Sequence, residues 1–101
     1  MYIYNVTYLV DPSIRHDWLR WMRDGHLPAV MSTGCFLRNQ FVRLLDLDES
    51  HGQTYAVQYY AADRGSCDHF ATQYEPGLER ESGRQWGEKC LTFKTLMEVM
   101  H

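Results

Sequence analysis

A strand-like stretch, a helical stretch and a second strand-like stretch follow one another in this chain, and the same order then recurs, giving β-α-β-β-α-β. Residues 2–10, YIYNVTYLV, alternate with a period of two. Tyr4, Val6, Tyr8 and Val10 fall on one face and Ile3, Asn5, Thr7 and Leu9 on the other. Both faces carry aromatic or β-branched groups, which predicts a strand inside a sheet and not at its edge. Residues 35–47 read as a long second strand, with a bulge possible along its length. The polar turn 48–52 leads to the returning strand QTYAVQYYA at 53–61, and residues 89–99 close the chain as a fourth strand.

The helices are read from caps and periodicity. Asp11 is placed to cap the free N–H groups of a helix, and Pro12 suits its first position. Ile14, Trp18, Trp21 and Met22 follow at i, i+4, i+7 and i+8, one apolar stripe. Gly25 is expected to break this helix, and His26–Met31 to form a short piece set at an angle by Pro28. Asp63 caps a second helix carrying Cys67, Phe70, Ala71 and Tyr74, which Pro76 interrupts before a further bent piece. The two prolines lie 48 residues apart, in keeping with a duplicated split β-α-β unit.

The simplest structure with this order is α+β: a single ferredoxin-like βαββαβ sandwich over residues 1–101. Its four-stranded antiparallel sheet carries two bent helices. Right-handed crossovers put both on one face and leave the other bare. Ile3, Leu9, Leu37, Leu45, Ala56, Tyr60, Leu96 and Met100 are candidates for that bare face. An apolar patch of this kind usually marks an interface. The expectation is a homodimer through the open sheet face, two sheets closing into a dimeric α/β barrel. The alternative is a monomer whose face is kept wet by Asn5, Thr7, Gln58, Thr92 and Lys94.

Composition narrows the partners. Thirteen acidic against ten basic residues give a net charge of -3, without the basic footprint of a nucleic-acid binder. No apolar run is long enough for a membrane span, and no signal-peptide pattern opens the chain, so a cytoplasmic protein is expected. Cys35, Cys67 and Cys90 form no Cys-x-x-Cys pair and read as buried thiols, with a lone disulfide the alternative. Five histidines show no metal-ligand spacing, and no phosphate-binding glycine loop occurs. No metal and no cofactor are therefore expected. A haem held through His26 or His69 is the one arrangement that spacing leaves open.

Two sets of residues are candidates for a site. Tyr4, Tyr8, Tyr55 and Tyr59 share strand parity, and Trp18 and Trp21 sit on the helix stripe that faces them. With Phe36 and Phe93 they make either a plain aromatic core or the wall of an apolar cavity for a flat molecule. The tyrosine hydroxyls favour the cavity, since each needs a partner if buried. His26, just after Gly25, is expected at a helix N-terminus, where free N–H groups lower an imidazole pKa. It is the candidate polar anchor of the site, or the general base of a cofactor-free enzyme; a histidine that merely bonds a backbone carbonyl is the structural alternative. The candidate ligand-binding set is His26, Trp18, Trp21, Tyr4, Tyr59 and Phe36. A third possibility is an interaction module without a ligand.

YNVT at 4–7, the Asp-Pro-Ser that opens the Trp-rich helix, TGCF at 33–36, TYAVQYY at 54–60 and TFKTLMEV at 92–99 resemble the small bacterial proteins of domain-of-unknown-function family 4286. The resemblance covers nearly the whole chain. That family resembles in turn the dimeric α/β-barrel superfamily, which includes monooxygenases, haem-degrading enzymes, EthD-like proteins and stress-responsive proteins. The resemblance implies the barrel and its pocket between sheet and helices, reached by a histidine of the first helix, here His26. It implies no particular reaction.

Overall fold

The computed structural model describes residues 1–101 and sets β1 (Tyr2–Val10) between two antiparallel partners, β3 (Gln53–Ala61) and β4 (Cys90–Glu98). β2 (Arg38–Arg43) pairs with the far side of β3, so the strand order is β2-β3-β1-β4. Tyr4 lies opposite Tyr59, Val6 opposite Val57 and Tyr8 opposite Tyr55. These pairs share one face of the sheet, and all six residues are buried. A one-residue slip would turn the whole set to the other face, so burial fixes this register.

The helical layer covers that face alone. After Asp11 accepts the Ser13 N–H at 2.8 Å, a short 3₁₀ turn leads into α1 (Arg15–Trp21). The chain does not break at Gly25. It runs through a wide π turn, Met22–His26, directly into α2 (Leu27–Met31). The wide turn fits Pro28, whose ring would collide with the carbonyl four residues back in a regular helix. In the second half, Asp63 accepts the Ser66 N–H at 2.8 Å and caps α3 (Arg64–Gln73). Tyr74 ends it, and Pro76 lies in the opening turn of α4 (Glu75–Trp86). The core between the layers joins Trp18, Met22, Val30, Cys67 and Phe70 of the helices to the inner residues of β1 and β3. Each such side chain contributes roughly 1.5–3 kcal/mol on burial. This is the α+β, ferredoxin-like architecture that the element order predicts.

Three details differ from the sequence expectation. The second strand is shorter than 35–47. It starts only at Arg38 and ends at Arg43, and Asp46, with φ 62°, turns the chain away. Residues Leu37 and Leu45 therefore lie outside the strand, and Met100 lies beyond β4. The face assignment of β4 is also reversed. Thr92 pairs with Tyr8, Lys94 with Val6 and Leu96 with Tyr4, which puts them on the helix side. Phe93, expected at the cavity, pairs with Thr7 on the open face. That face holds Ile3, Leu9, Ala56, Tyr60, Leu91 and Phe93, the last two 48% and 61% exposed, among Asn5, Thr7 and Gln58.

The β2–β3 turn depends on one glycine. Gly52 adopts φ 135°, and a Cβ there would stand 2.1 Å from the Val10 carbonyl oxygen. Gly52→Ala is expected to cost about 1–3 kcal/mol from backbone strain alone, with the clash added to it. Urea denaturation measures this; an unchanged midpoint would contradict the close approach.

Candidate functional site

The sheet and α4 do not close on each other. Between them runs a cleft of about 320 Å³. Its floor is Val6, Tyr8 and Tyr59; its walls include Val30, Phe70, Leu78 and Trp86. Thr92 and Lys94 of β4 form the remaining edge, with Cys90. α4 borders the cleft over its whole length, about 18 Å for its 12 residues at a helical rise of 1.5 Å per residue. The two ends differ in chemistry.

At the start of α4 the site is polar. The Tyr4 hydroxyl donates to the Glu75 carboxylate, 2.6 and 2.5 Å from its two oxygens. Lys94 Nζ stands 3.1 Å from Glu75 Oε1 and also pairs with Glu79, one helical turn on. Burial first, then the hydrogen bond to Glu75 for Tyr4 and the Glu75 charge for both, push the hydroxyls of Tyr4 and Tyr59 well above the usual tyrosine range. Burial likewise raises Tyr8, helped by Tyr59, Cys90, Glu75 and Tyr4. These tyrosines are neutral at physiological pH and keep their O–H protons. Tyr55, the fourth inward tyrosine, spends its hydroxyl on Gln53. Tyr59 does not: its side chain is 1% exposed and its hydroxyl has no partner.

At the other end the site is aromatic. Trp86 meets Trp21 edge-on at 5.7 Å between ring centroids, and Trp21 stacks on His26 at 4.7 Å. The Trp86 Nε1–H is buried without a partner. The Trp18 Nε1–H, inside the core, is likewise buried without a hydrogen-bond partner. Burial pushes His26 down from its ordinary 6.5 to about 4, so the imidazole is neutral, with one donor and one acceptor nitrogen. The expected cause was a helix N-terminus. The π turn continues straight into α2, so His26 occupies no free helix end, and desolvation does this work instead.

Of the six residues expected to line a pocket, His26 and Tyr59 line this cleft. Tyr4 reaches it through Glu75, and Trp21 supports His26 and Trp86 from behind. Trp18 and Phe36 are elsewhere. Trp18 packs among Tyr8, Tyr55 and Phe41, and Phe36 among Tyr4, Tyr59 and Phe70, both inside the core. Glu75, Lys94 and Trp86 were not anticipated. Glu75 had a signal: an inward tyrosine hydroxyl needs an acceptor, and a carboxylate beside Pro76 sits in a first helical turn. No cluster of three or more His, Cys, Asp or Glu side chains is placed to hold a metal ion.

The family model of a domain of unknown function (DUF4286) matches residues 1–100. The chain belongs to this family. No curated protein matches this DUF4286 member. Among solved structures it is similar to an ethyl tert-butyl ether D (EthD) family protein from Bacillus halodurans C-125. The two superpose with a TM-score of 0.71 at 16% identity, over 99% of this chain and 100% of that one. It is also similar to a dimeric ferredoxin-like protein from an uncultured marine organism, with a TM-score of 0.68 at 10% identity, over 99% and 95% of the two chains. At these identities the likeness concerns the fold. No helix is long and apolar enough to cross a membrane.

Proposed function

We propose that this DUF4286 protein is a cytoplasmic homodimer that binds a small, largely apolar molecule in the cleft between α4 and the sheet. The observation that carries the reading is the cleft itself. About 320 Å³ lies open between the layers, at the lower end of the range of ligand sites, and half of the residues around it are hydrophobic. A thin domain held together by one core gains nothing in stability from leaving that space unfilled. The dimer rests on Leu91 and Phe93, exposed on a sheet face that no helix covers, and on the dimeric protein of the same fold. The free thiols of Cys35, Cys67 and Cys90 suit a reducing compartment.

An enzyme with His26 as general base fits less well. A catalytic base works best with a pKa near the operating pH, and burial takes His26 to about 4. A purely structural module leaves the cleft without a purpose.

Native mass spectrometry of the purified protein, compared with its denatured mass, tests both parts. The expected result is a dimer with added mass that denaturation removes. Phe93→Arg is expected to shift the dimer to monomer, since it sets a charge in an apolar contact. A monomeric wild-type protein overturns the barrel. A bare dimer that takes up no small apolar molecule overturns the cleft reading.

A further inference from the structure

The cleft specifies what kind of molecule fills it, and the inference below rests on the cleft being a ligand site. Its buried polar groups are unevenly supplied. The acceptor, Glu75, already receives the Tyr4 hydroxyl and Lys94. The donors are not matched. The Tyr59 hydroxyl is buried with no partner, near enough to Glu75 to feel its charge, and Trp86 Nε1–H is buried with none at the opposite end. Buried donors without acceptors are uncommon in native proteins and each costs free energy.

Charge narrows the choice further. Two carboxylates, Glu75 and Glu79, face one ammonium, Lys94, which pairs with both. His26, the remaining titratable side chain of the cleft that is basic, is neutral at physiological pH. The cleft therefore offers no spare positive charge to an anion, and its carboxylates repel one.

We infer that the ligand is an uncharged molecule with an apolar body and an oxygen acceptor, a carbonyl in the simplest case, which receives the Tyr59 hydroxyl. Trp86 at the far end supplies a second donor for a ligand long enough to reach it. A carboxylate-bearing ligand is selected against, and a hydrocarbon of the same shape forfeits the hydrogen bond that Tyr59 is waiting to make. Removing the Tyr59 hydroxyl erases that difference without emptying the cleft.

The test uses three probes on one ring system: 2-acetylnaphthalene, 2-isopropenylnaphthalene and 2-naphthoate. Binding is read by tryptophan fluorescence and by the indole N–H resonance of Trp86. The ketone is expected to bind about tenfold more tightly than its hydrocarbon isostere, the scale of one buried hydrogen bond, and the carboxylate most weakly. In Tyr59→Phe the ketone and the hydrocarbon are expected to bind alike. Equal binding of ketone and hydrocarbon to the wild-type protein overturns the acceptor inference while the cleft reading stands. So does tightest binding by naphthoate, or a ketone preference that survives in Tyr59→Phe. If none of the three binds and the Trp86 resonance does not move, the cleft is not a ligand site and both readings fall.

Discussion

Trp18→Ala is expected to bring this protein to the edge of unfolding. The indole is 0% exposed and touches three other rings: Tyr8 and Tyr55 at 5.2 Å and Phe41 at 5.9 Å. It is thus the point at which α1 grips β1, β2 and β3 together. Truncating a buried tryptophan costs about 3–5 kcal/mol, the lost transfer energy plus the cavity left behind. A domain of this size has on the order of 5–15 kcal/mol in total. Urea denaturation followed by far-UV circular dichroism reads the difference. Trp86→Phe makes the comparison, because that ring is only half-buried at the rim of the cleft, and it is expected to cost roughly 1 kcal/mol. If the two substitutions cost the same, the division between a core tryptophan and a cleft tryptophan is wrong.

That division marks how far the residues of this chain can be read without their partners. β1 and β3 alternate cleanly, so the inward tyrosines and valines were legible from parity alone. β4 was not. In CLTFKTLME the residues Cys90, Thr92, Lys94 and Leu96 look as mixed as Leu91, Phe93, Thr95 and Met97. Only the pairing of Thr92 with Tyr8 decides which set faces the helices. β4 is an edge strand, exposed along most of its length, and burial therefore leaves little imprint on its sequence. The site suffers from the same ambiguity. Lys94 was assigned to the wrong face, and Glu75 meets Tyr4 across 71 residues of sequence, a distance over which periodicity carries no information. Gly25 shows a different limit. A glycine after a helical stripe reads as a stop, but the chain accommodates it in a wide turn because the flanking Met22 and Val30 are both buried against the sheet. Tertiary burial here overrides local propensity.

Stability is expected to fall as the pH drops from about 6.5 to about 4, and His26→Gln is expected to remove that part of the fall. Desolvation lowers the imidazole from 6.5 to about 4 in the folded protein. Between those values the unfolded chain binds the proton and the folded chain does not. The free energy of unfolding therefore rises with pH in this window. The contribution of the neutral ring is whole above pH 6.5 and is lost as the pH falls toward the folded value. The full difference is on the order of 3 kcal/mol, and its slope never exceeds about 1.4 kcal/mol per pH unit for one proton. Asp11 and Asp48 bear on a lower range. Their carboxyls are held below 3.8 by hydrogen bonds from Ser13 and Ser50, so their contributions disappear only in stronger acid. Urea midpoints for wild type and His26→Gln at half-unit steps from pH 4 to 7.5 separate the terms. The difference between the two curves belongs to His26, whatever the other groups do. A constant difference across the window would mean that the ring is not desolvated and that its stacking on Trp21 is open to water. A difference that widens as pH rises, with Trp21 fluorescence changing over the same range, means that acid charges the imidazole and loosens the aromatic end of the cleft. In that case an apolar ligand, which stabilises the folded form with the neutral imidazole, should bind more weakly below pH 6 in wild type and with little pH dependence in His26→Gln.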